Sequence, residues 1–470
     1  MSQPTAPFPE RVAQALRDPI LQRALGNATQ GFSEKRLAML ATLSDPDRLR
    51  DYAHSVRAHT IRHLDEYLSQ FAAAAEEAGA QIHWAADAAH TRRIVLMLAE
   101  THGVESIVKS KSMVSEEIGL NPALEAAGLN VVESDLGEYI VQLAGEAPSH
   151  IVVPAIHKTK EQVGKLFHRH LGIPYTDDPA LMAAAARIEL RRIFLNADMG
   201  ISGVNFGVAE TGSICLVTNE GNGRLTTTLP RLHVALMGIE RLVPNLDDLS
   251  VMLQLLARSS TGQKLTVYTN LLTGPRRKHE ADGPDELHIV LVDNGRSHVL
   301  GASAAEILCC IRCGSCLNAC PVYRELGGHA YGSVYPGPIG SVLSPALWGA
   351  EEWAELPHAC SVCGACRDAC PVRIDLPDLL LKMRDEGVRL GTAPWWLQHG
   401  IRGFRFGAAG AGRFRLGAAI AGAISRLIGR DGWIRRLPPP LSGWTDHRDF
   451  PALSHKPFSR LWKERQSRKK

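Results

Sequence analysis

Two copies of one cysteine pattern limit what this chain can fold around. The first reads Cys310-Ile-Arg-Cys313-Gly-Ser-Cys316-Leu-Asn-Ala-Cys320-Pro321 and the second Cys360-Ser-Val-Cys363-Gly-Ala-Cys366-Arg-Asp-Ala-Cys370-Pro371. Each is C-x2-C-x2-C-x3-C-P, a spacing that lets three thiolates wrap one iron–sulfur cubane while the fourth points to the other cluster. The proline after each fourth cysteine fixes the direction of the chain there. The spacing predicts two [4Fe–4S] clusters with crossed ligation. Cys310, Cys313, Cys316 and Cys370 would hold one, and Cys320, Cys360, Cys363 and Cys366 the other. One copy alone would leave structural zinc as a rival. Two copies favour paired clusters and one-electron transfer between partners.

Nine of the ten cysteines lie between Cys309 and Cys370, in a chain of 470 residues, which does not fit a disulfide framework. Cys215, in the apolar run Ile214-Cys215-Leu216-Val217, reads as a small buried residue. Cys309 directly precedes a ligand and should face elsewhere. The start, Met1-Ser2-Gln3-Pro4-Thr5, lacks a signal-peptide pattern. Cluster assembly and that start together suggest the cytoplasm.

A chain of this length has room for about three domains, and the patterns suggest four segments. Residues 1–80 read as helical, with apolar spacing over Arg11–Leu25 and Glu34–Leu43. A longer helix opens at Asp45-Pro46 and passes Tyr67, Leu68 and Phe71. Residues 81–297 read as an α/β domain with a largely parallel sheet. Its expected strands are Gln81–Ala86, Ser106–Val108, Asn130–Val132, Ile151–Val153, Val204–Ala209, Ser213–Val217, Leu265–Thr269 and His288–Val292. Helices are expected over Asp87–His102, Val114–Ala127, Lys160–Leu171, Pro179–Ala197 and Leu246–Ala257. Residues 303–395 form the expected cluster domain, with a long Gly- and Pro-rich linker at Gly327–Gly349 that suggests a helical two-cluster domain with irregular turns around the clusters, and a helix over Leu376–Arg389.

Residues 396–470 form a basic tail. They carry sixteen Lys/Arg and four Asp/Glu, a balance of +12. The whole chain has 52 and 49, so the remaining residues carry 36 and 45, a balance of −9. Such a tail should meet an acidic partner or an anionic membrane surface. Phe404–Ile428 reads either as an amphipathic helix that docks or as one packed on the cluster domain. Its uninterrupted apolar core, Leu416–Ile424, is too short to span a bilayer. Beyond Leu437-Pro438-Pro439-Pro440 the chain should be extended, and Arg465–Lys470 disordered.

Outside the cysteines, polar residues follow expected strands. These are Lys109-Ser110-Lys111-Ser112 with Glu116 and Glu117, then Glu133-Ser134-Asp135 with Glu138, then His157-Lys158-Thr159. Positions just beyond the carboxyl ends of parallel strands line the ligand crevice of α/β folds, although charged loops are often merely solvated. Glu210, within Ala209-Glu-Thr-Gly-Ser213, could act as a base or bind a substrate hydroxyl, and Asn219–Gly223 could present N–H groups to an anion. The same Thr-Gly and Asn-Gly steps also read as plain turns. Candidate catalytic residues are Glu210, His157 and Lys109. No G-x-G-x-x-G follows a strand and no phosphate-binding P-loop is present, so a Rossmann nucleotide site is not supported.

These segments together resemble the lactate utilization protein B family, the iron–sulfur subunit of a bacterial L-lactate oxidation system. The resemblance rests on Lys109–Met113 with Glu116-Glu117, Glu133–Tyr139, Pro154–Lys158, Ala209–Ser213 with Val217–Gly223, Gly283–Leu287, Gly327–Gly332 and the two cysteine motifs. It covers essentially the whole chain, although some relatives lack a cysteine at the position of Cys360. It implies a sugar-isomerase/CoA-transferase-like α/β domain followed by a helical two-[4Fe–4S] ferredoxin-type domain. It further implies electron transport during oxidation of L-lactate to pyruvate, with a cysteine-rich-domain subunit and a small subunit sharing this α/β domain as partners. Two alternatives remain at this level. One is an electron-transfer subunit of another 2-hydroxy-acid or thiol–disulfide oxidoreductase, and the other a regulatory or binding protein with iron–sulfur clusters.

Overall fold

The computed structural model describes residues 6–439, 441–446, 448–454 and 456–468. The chain divides into two compact units, Met1–Leu390 and Gly391–Lys470. The first contains strands β1 (Gln81–Ala85), β2 (Ser106–Lys109), β3 (Asn130–Glu133), β4 (Met199–Gly203), β5 (Phe206–Val208), β6 (Ser213–Thr218), β7 (Leu232–Gly238), β8 (Leu242–Val243), β9 (Tyr268–Leu272) and β10 (Glu286–Val292). A six-stranded sheet has the order β1-β10-β7-β4-β2-β3, with every neighbouring pair parallel. A four-stranded mixed sheet runs β8-β5-β6-β9.

The centre of the large sheet is β7, where the sequence predicts no strand. All seven of its residues are buried. A parallel strand covered on both faces is a continuous apolar run, and such a run lacks the period-2 alternation that marks a half-buried strand. β4, buried over Met199–Ser202, lies N-terminal to the expected Val204–Ala209 strand, which shortens to β5. β9 is displaced toward Leu272 relative to its expected position.

Ile151–Val153 is not a strand. The N–H groups of Val152 and Val153 both donate to His150 Nδ1, at 3.0 and 3.1 Å, which bends the backbone. The run is apolar because Ile151 packs in the core that contains Cys313 and Leu317. The Gly- and Pro-rich linker contains a helix, Gly337–Trp348, buried from Gly337 to Pro345. Its glycine content reflects close packing: a Cβ on Gly340 would stand 1.5 Å from the Tyr335 carbonyl oxygen.

Several expected helices are divided. The helix from Pro46 breaks at His63, so that Pro46–Arg62 and Leu64–Glu77 are separate. The N-terminal apolar segments become Phe8–Leu16 and Pro19–Leu40, with the Asp18 side chain capping the second. Val114–Ala127 becomes Met113–Glu117 and Leu120–Ala126. An additional helix, Leu136–Ala144, is capped by Asp135. One hydrophobic core then joins residues from three expected segments: Leu25, Leu40 and Val56; Phe206 and Met252; Leu308, Leu317 and Val342. The helical segment, the α/β domain and the cluster region thus share one unit.

In the second unit, Phe404–Ile428 is broken at Gly410 into Trp395–Ala408 and Ala411–Ile428. Trp433–Ile434 pairs antiparallel with Phe450–Pro451. The expected disordered end carries a helix, Phe458–Ser467, while Lys469 and Lys470 lie outside the described residues. Among the described residues no helix is long and apolar enough to cross a membrane.

Candidate iron–sulfur and ligand site

The two cysteine motifs have the same backbone. The residue before the second cysteine has positive φ in both copies, 59° at Arg312 and 55° at Val362, and a left-handed glycine follows it, Gly314 or Gly364. A β-branched valine in that region is strained. The conformation turns the N–H of Arg312 toward Cys310 Sγ at 3.3 Å and that of Val362 toward Cys360 Sγ at 3.2 Å. After the prolines, Tyr323 N donates to Cys320 Sγ at 3.5 Å and Ile374 N to Cys370 Sγ at 3.4 Å. Such donors favour thiolate, the form that binds iron.

The motifs also interleave. A cavity of about 20 Å³ is lined by Cys310, Cys313, Cys316 and Cys370, with Ile339, Val372 and Ile374 around them. Burial raises the Cys370 thiol, and so does negative charge on Cys313 and Cys310, which belong to the other motif. Cys366 is pushed up to about 12 by burial, then by Cys320 and Cys360. Cys320 is raised by burial and by Cys360 and Cys363. Each fourth cysteine therefore feels the opposite triplet. All ten cysteines are free thiols. Held as thiolates, these buried side chains would need compensating positive charge, and the iron of a cluster would supply it. The donor set fits such a group.

Arginines gather around the first motif. Arg57, fully buried, donates to the carbonyls of Cys309 (3.2 Å), Leu308 (2.9 Å), Glu240 and Leu242. Arg241 reaches the Cys310 carbonyl at 3.3 Å, and Arg50 the Cys370 carbonyl at 2.8 Å. Burial works to raise Glu240, but Arg296, Arg312 and Arg241 hold it down at about 2. Glu117 takes a bidentate contact from Arg296, 2.8 Å at each oxygen, and a hydrogen bond from the Tyr335 hydroxyl at 2.7 Å.

Beside this network lies a cavity of about 370 Å³. Ser110, Lys111, Asp135 and Gly203 line it from just beyond or at the carboxyl ends of β2, β3 and β4. Asn205, Asn219, Glu220 and Asn222 add to the wall, and Arg241, Arg312 and Tyr335 complete it. Lys111 Nζ donates to the Val152 carbonyl.

The structure distributes the sequence candidates unevenly. Lys109 is buried behind the cavity, its Nζ 2.7 Å from Glu133 and 3.1 Å from Glu116. Those carboxylates hold it charged against the effect of burial. Glu138 joins them, pushed up to about 8 by burial and then by Glu133. His157 Nε2 meets Glu146 at 2.7 Å and its ring abuts His329. Burial lowers the imidazole to about 4. Lys158 pairs with the same Glu146, and Thr159 caps the helix Lys160–Leu171. Neither Lys109 nor His157 lines the cavity, and Glu210 is exposed away from it. Glu210 belongs to a turn whose Gly212, at φ +65°, has no room for a side chain: a Cβ would stand 2.2 Å from Ala75 N. Of the Asn219–Gly223 stretch, Asn219, Glu220, Asn222 and Gly223 line the cavity. Arg57, Arg241, Glu240 and Arg296 escaped the sequence reading. A buried arginine looks like a surface one in sequence; the one available signal was Ile239-Glu240-Arg241 directly after an apolar run.

Comparison with known proteins assigns the segments. Residues 68–292 match the LUD domain, 306–374 a 4Fe-4S dicluster domain, and 393–467 the C-terminal region of lactate utilisation protein B. Lactate utilization protein B of Bacillus pumilus is 45% identical over 461 residues, 98% of this chain and 97% of that one. That of Bacillus subtilis is 44% identical over 460 residues, 97% and 96%. This chain belongs to the lactate utilization protein B family. A further family relative, an Escherichia coli protein called uncharacterized electron transport protein YkgF, is 42% identical over 463 residues, 98% of each chain. In family terms the fold is a parallel-sheet α/β LUD domain followed by a helical 4Fe–4S dicluster domain, the class the sequence predicts.

Proposed function

We propose that this chain is the iron–sulfur electron-transfer subunit of a system that oxidises L-lactate to pyruvate. The observation that carries this reading is the reciprocal placement of the motifs, with Cys370 beside Cys310 and Cys313, and Cys320 beside Cys360 and Cys363. It supports crossed ligation: Cys310, Cys313, Cys316 and Cys370 on one cluster, Cys360, Cys363, Cys366 and Cys320 on the other. Bound clusters would supply two one-electron sites. The chain's own residues do the rest. Backbone N–H groups hold the thiolates, the arginines offset their charge, and Ile339, Val372 and Ile374 keep water from the first set. Family names that refer to lactate utilization, at 44–45% identity over nearly the whole length, support the choice of substrate.

The partners are a cysteine-rich-domain subunit and a small LUD-type subunit, and the protein works in the cytoplasm or at the inner membrane face. The second unit serves docking. Its helices leave Trp395, Phe404, Phe406 and Leu427 exposed among basic residues.

The test is anaerobic purification of the complex followed by addition of L-lactate. Lactate should reduce the clusters in the complex and leave the isolated chain oxidised. Full-rate lactate oxidation by the isolated chain with an artificial acceptor would overturn the carrier role. Truncation after Leu390 should keep the cluster spectrum and weaken co-purification with partners or membranes, an effect that shrinks at high salt. Loss of clusters with partner binding intact would instead make the tail part of the cluster support.

A further inference from the structure

The cavity beside the first motif is lined by three cationic side chains, Lys111, Arg241 and Arg312, and by three carboxylates, Asp135, Glu220 and Glu240. Four buried guanidinium groups, Arg57, Arg241, Arg296 and Arg312, face two buried carboxylates, Glu117 and Glu240. Both oxygens of Glu117 are taken by Arg296, Asn294 and Tyr335. Glu240 is shared, at 2.6 Å from Arg296, 3.4 Å from Arg312 and 4.0 Å from Arg241. Arg57 directs its donors to backbone carbonyls. Arg241 and Arg312 are left least satisfied, and both line the cavity.

Arg312 is the sharper case. Its side chain is 6% exposed and stands 4.9 Å over the Tyr335 ring, and its Nη1 has no hydrogen-bond partner. A buried charged donor without an acceptor is costly, so an occupant that accepts is favoured. The thiolates of a bound cluster answer part of the charge, but they lie in a different cavity. The larger cavity, at about 370 Å³, falls at the low end of the roughly 300–1,000 Å³ usual for ligand sites. Lys111, half-buried on another wall, adds a cation on the side where Asp135 and Glu220 also lie. A small planar anion matches the fork of a guanidinium.

We infer that this cavity binds a small organic carboxylate, held by Arg241 and Arg312 with Lys111 facing it. It shares the Ile151 wall with the cysteine-lined cavity. A carboxylate here sits beside the first cluster set, which makes this subunit a ligand-binding one as well as a relay. The choice of probe rests on the lactate reading above.

The experiment uses full-length holoprotein, purified anaerobically and titrated by calorimetry with pyruvate and with L-lactate. The expected result is saturable binding at one site per chain. Pyruvate should also shift the electron paramagnetic resonance of one of the two reduced clusters. Arg241→Gln, compared with wild type at equal iron content, should weaken binding about ten- to a hundredfold, the worth of a charge-assisted contact. Ser260→Asp adds a negative charge to the half-buried wall without touching the arginine network and should weaken binding too. No saturable binding by the holoprotein, or binding unchanged in both variants, overturns the inference. Equal affinity for sulfate or chloride overturns the carboxylate assignment. Growth on lactate is scored separately. Normal growth without binding counts against the site alone, and binding without a growth defect on deletion counts against the function alone.

Discussion

The two cysteine motifs share spacing, strained loop and N–H···S contacts, and they differ in almost everything around them. In the first, Ile311, Arg312, Cys313, Ser315 and Leu317 are buried; in the second, Ser361, Val362, Cys363, Arg367 and Asp368 are exposed. Arg50, Arg57 and Arg241 donate to carbonyls of Cys309, Cys310 or Cys370 around the first set. Around the second, Arg384 reaches the Cys360 carbonyl at 2.7 Å. The ligand loop is thus a local property, repeated wherever the motif recurs. Access and electrostatics are set by what packs on it. The first set adjoins the interior cavity, and the second presents a thiol at the surface, which suits handing electrons to a protein.

The sharpest way to break this comparison is to exchange the fourth ligands. Wild type should hold about eight iron atoms per chain and Cys370→Ala about four. The surviving signal should belong to the exposed cluster, although Cys370 sits in the second motif. Cys320→Ala should do the reverse. Four iron atoms in wild type, or loss of each motif's own cluster, would end the crossed assignment.

Exposure gives the next test. A chelator or ferricyanide should destroy the second cluster first, by at least about tenfold in rate, because Cys363 is exposed and Cys313 is buried. Equal rates would mean that the difference in burial has no kinetic weight.

Charge gives the smallest effect. A unit charge at ~8 Å in an effective dielectric of ~20 is worth about 2 kcal/mol, on the order of 90 mV for one electron. Arg312→Met should therefore lower the potential of the first cluster by tens of millivolts and leave the second unmoved. A shift of both, or of neither, would show that the arginines do not set the difference.

Much of this was legible in sequence because it is local. The Cys-x2-Cys-x2-Cys-x3-Cys-Pro spacing names eight candidate ligands, and Asp45 and Asp87 announce helix starts by their capping chemistry. The strand ends carrying Ser110, Lys111 and Asp135 were marked by polar residues after apolar runs. Other features were hidden for a physical reason. β7, buried on both faces, has no alternation to read. Ile151–Val153 imitates a strand because it covers the cysteine loop. Lys109, Glu116, Glu133 and Glu138 are polar residues at or after a strand end, but Lys109 is taken up by Glu116 and Glu133, with Glu138 beside them, instead of lining the cavity.

The sequence by itself determined what iron can be held and by which type of loop, since ligand spacing and the turns at Gly314 and Gly364 act over a few residues. Only the tertiary structure decided which cysteine set is buried and that Arg57, Arg241, Arg296 and Arg312 converge beside the first motif. Those outcomes depend on through-space burial and charge, which act between residues up to 255 positions apart and leave no local pattern.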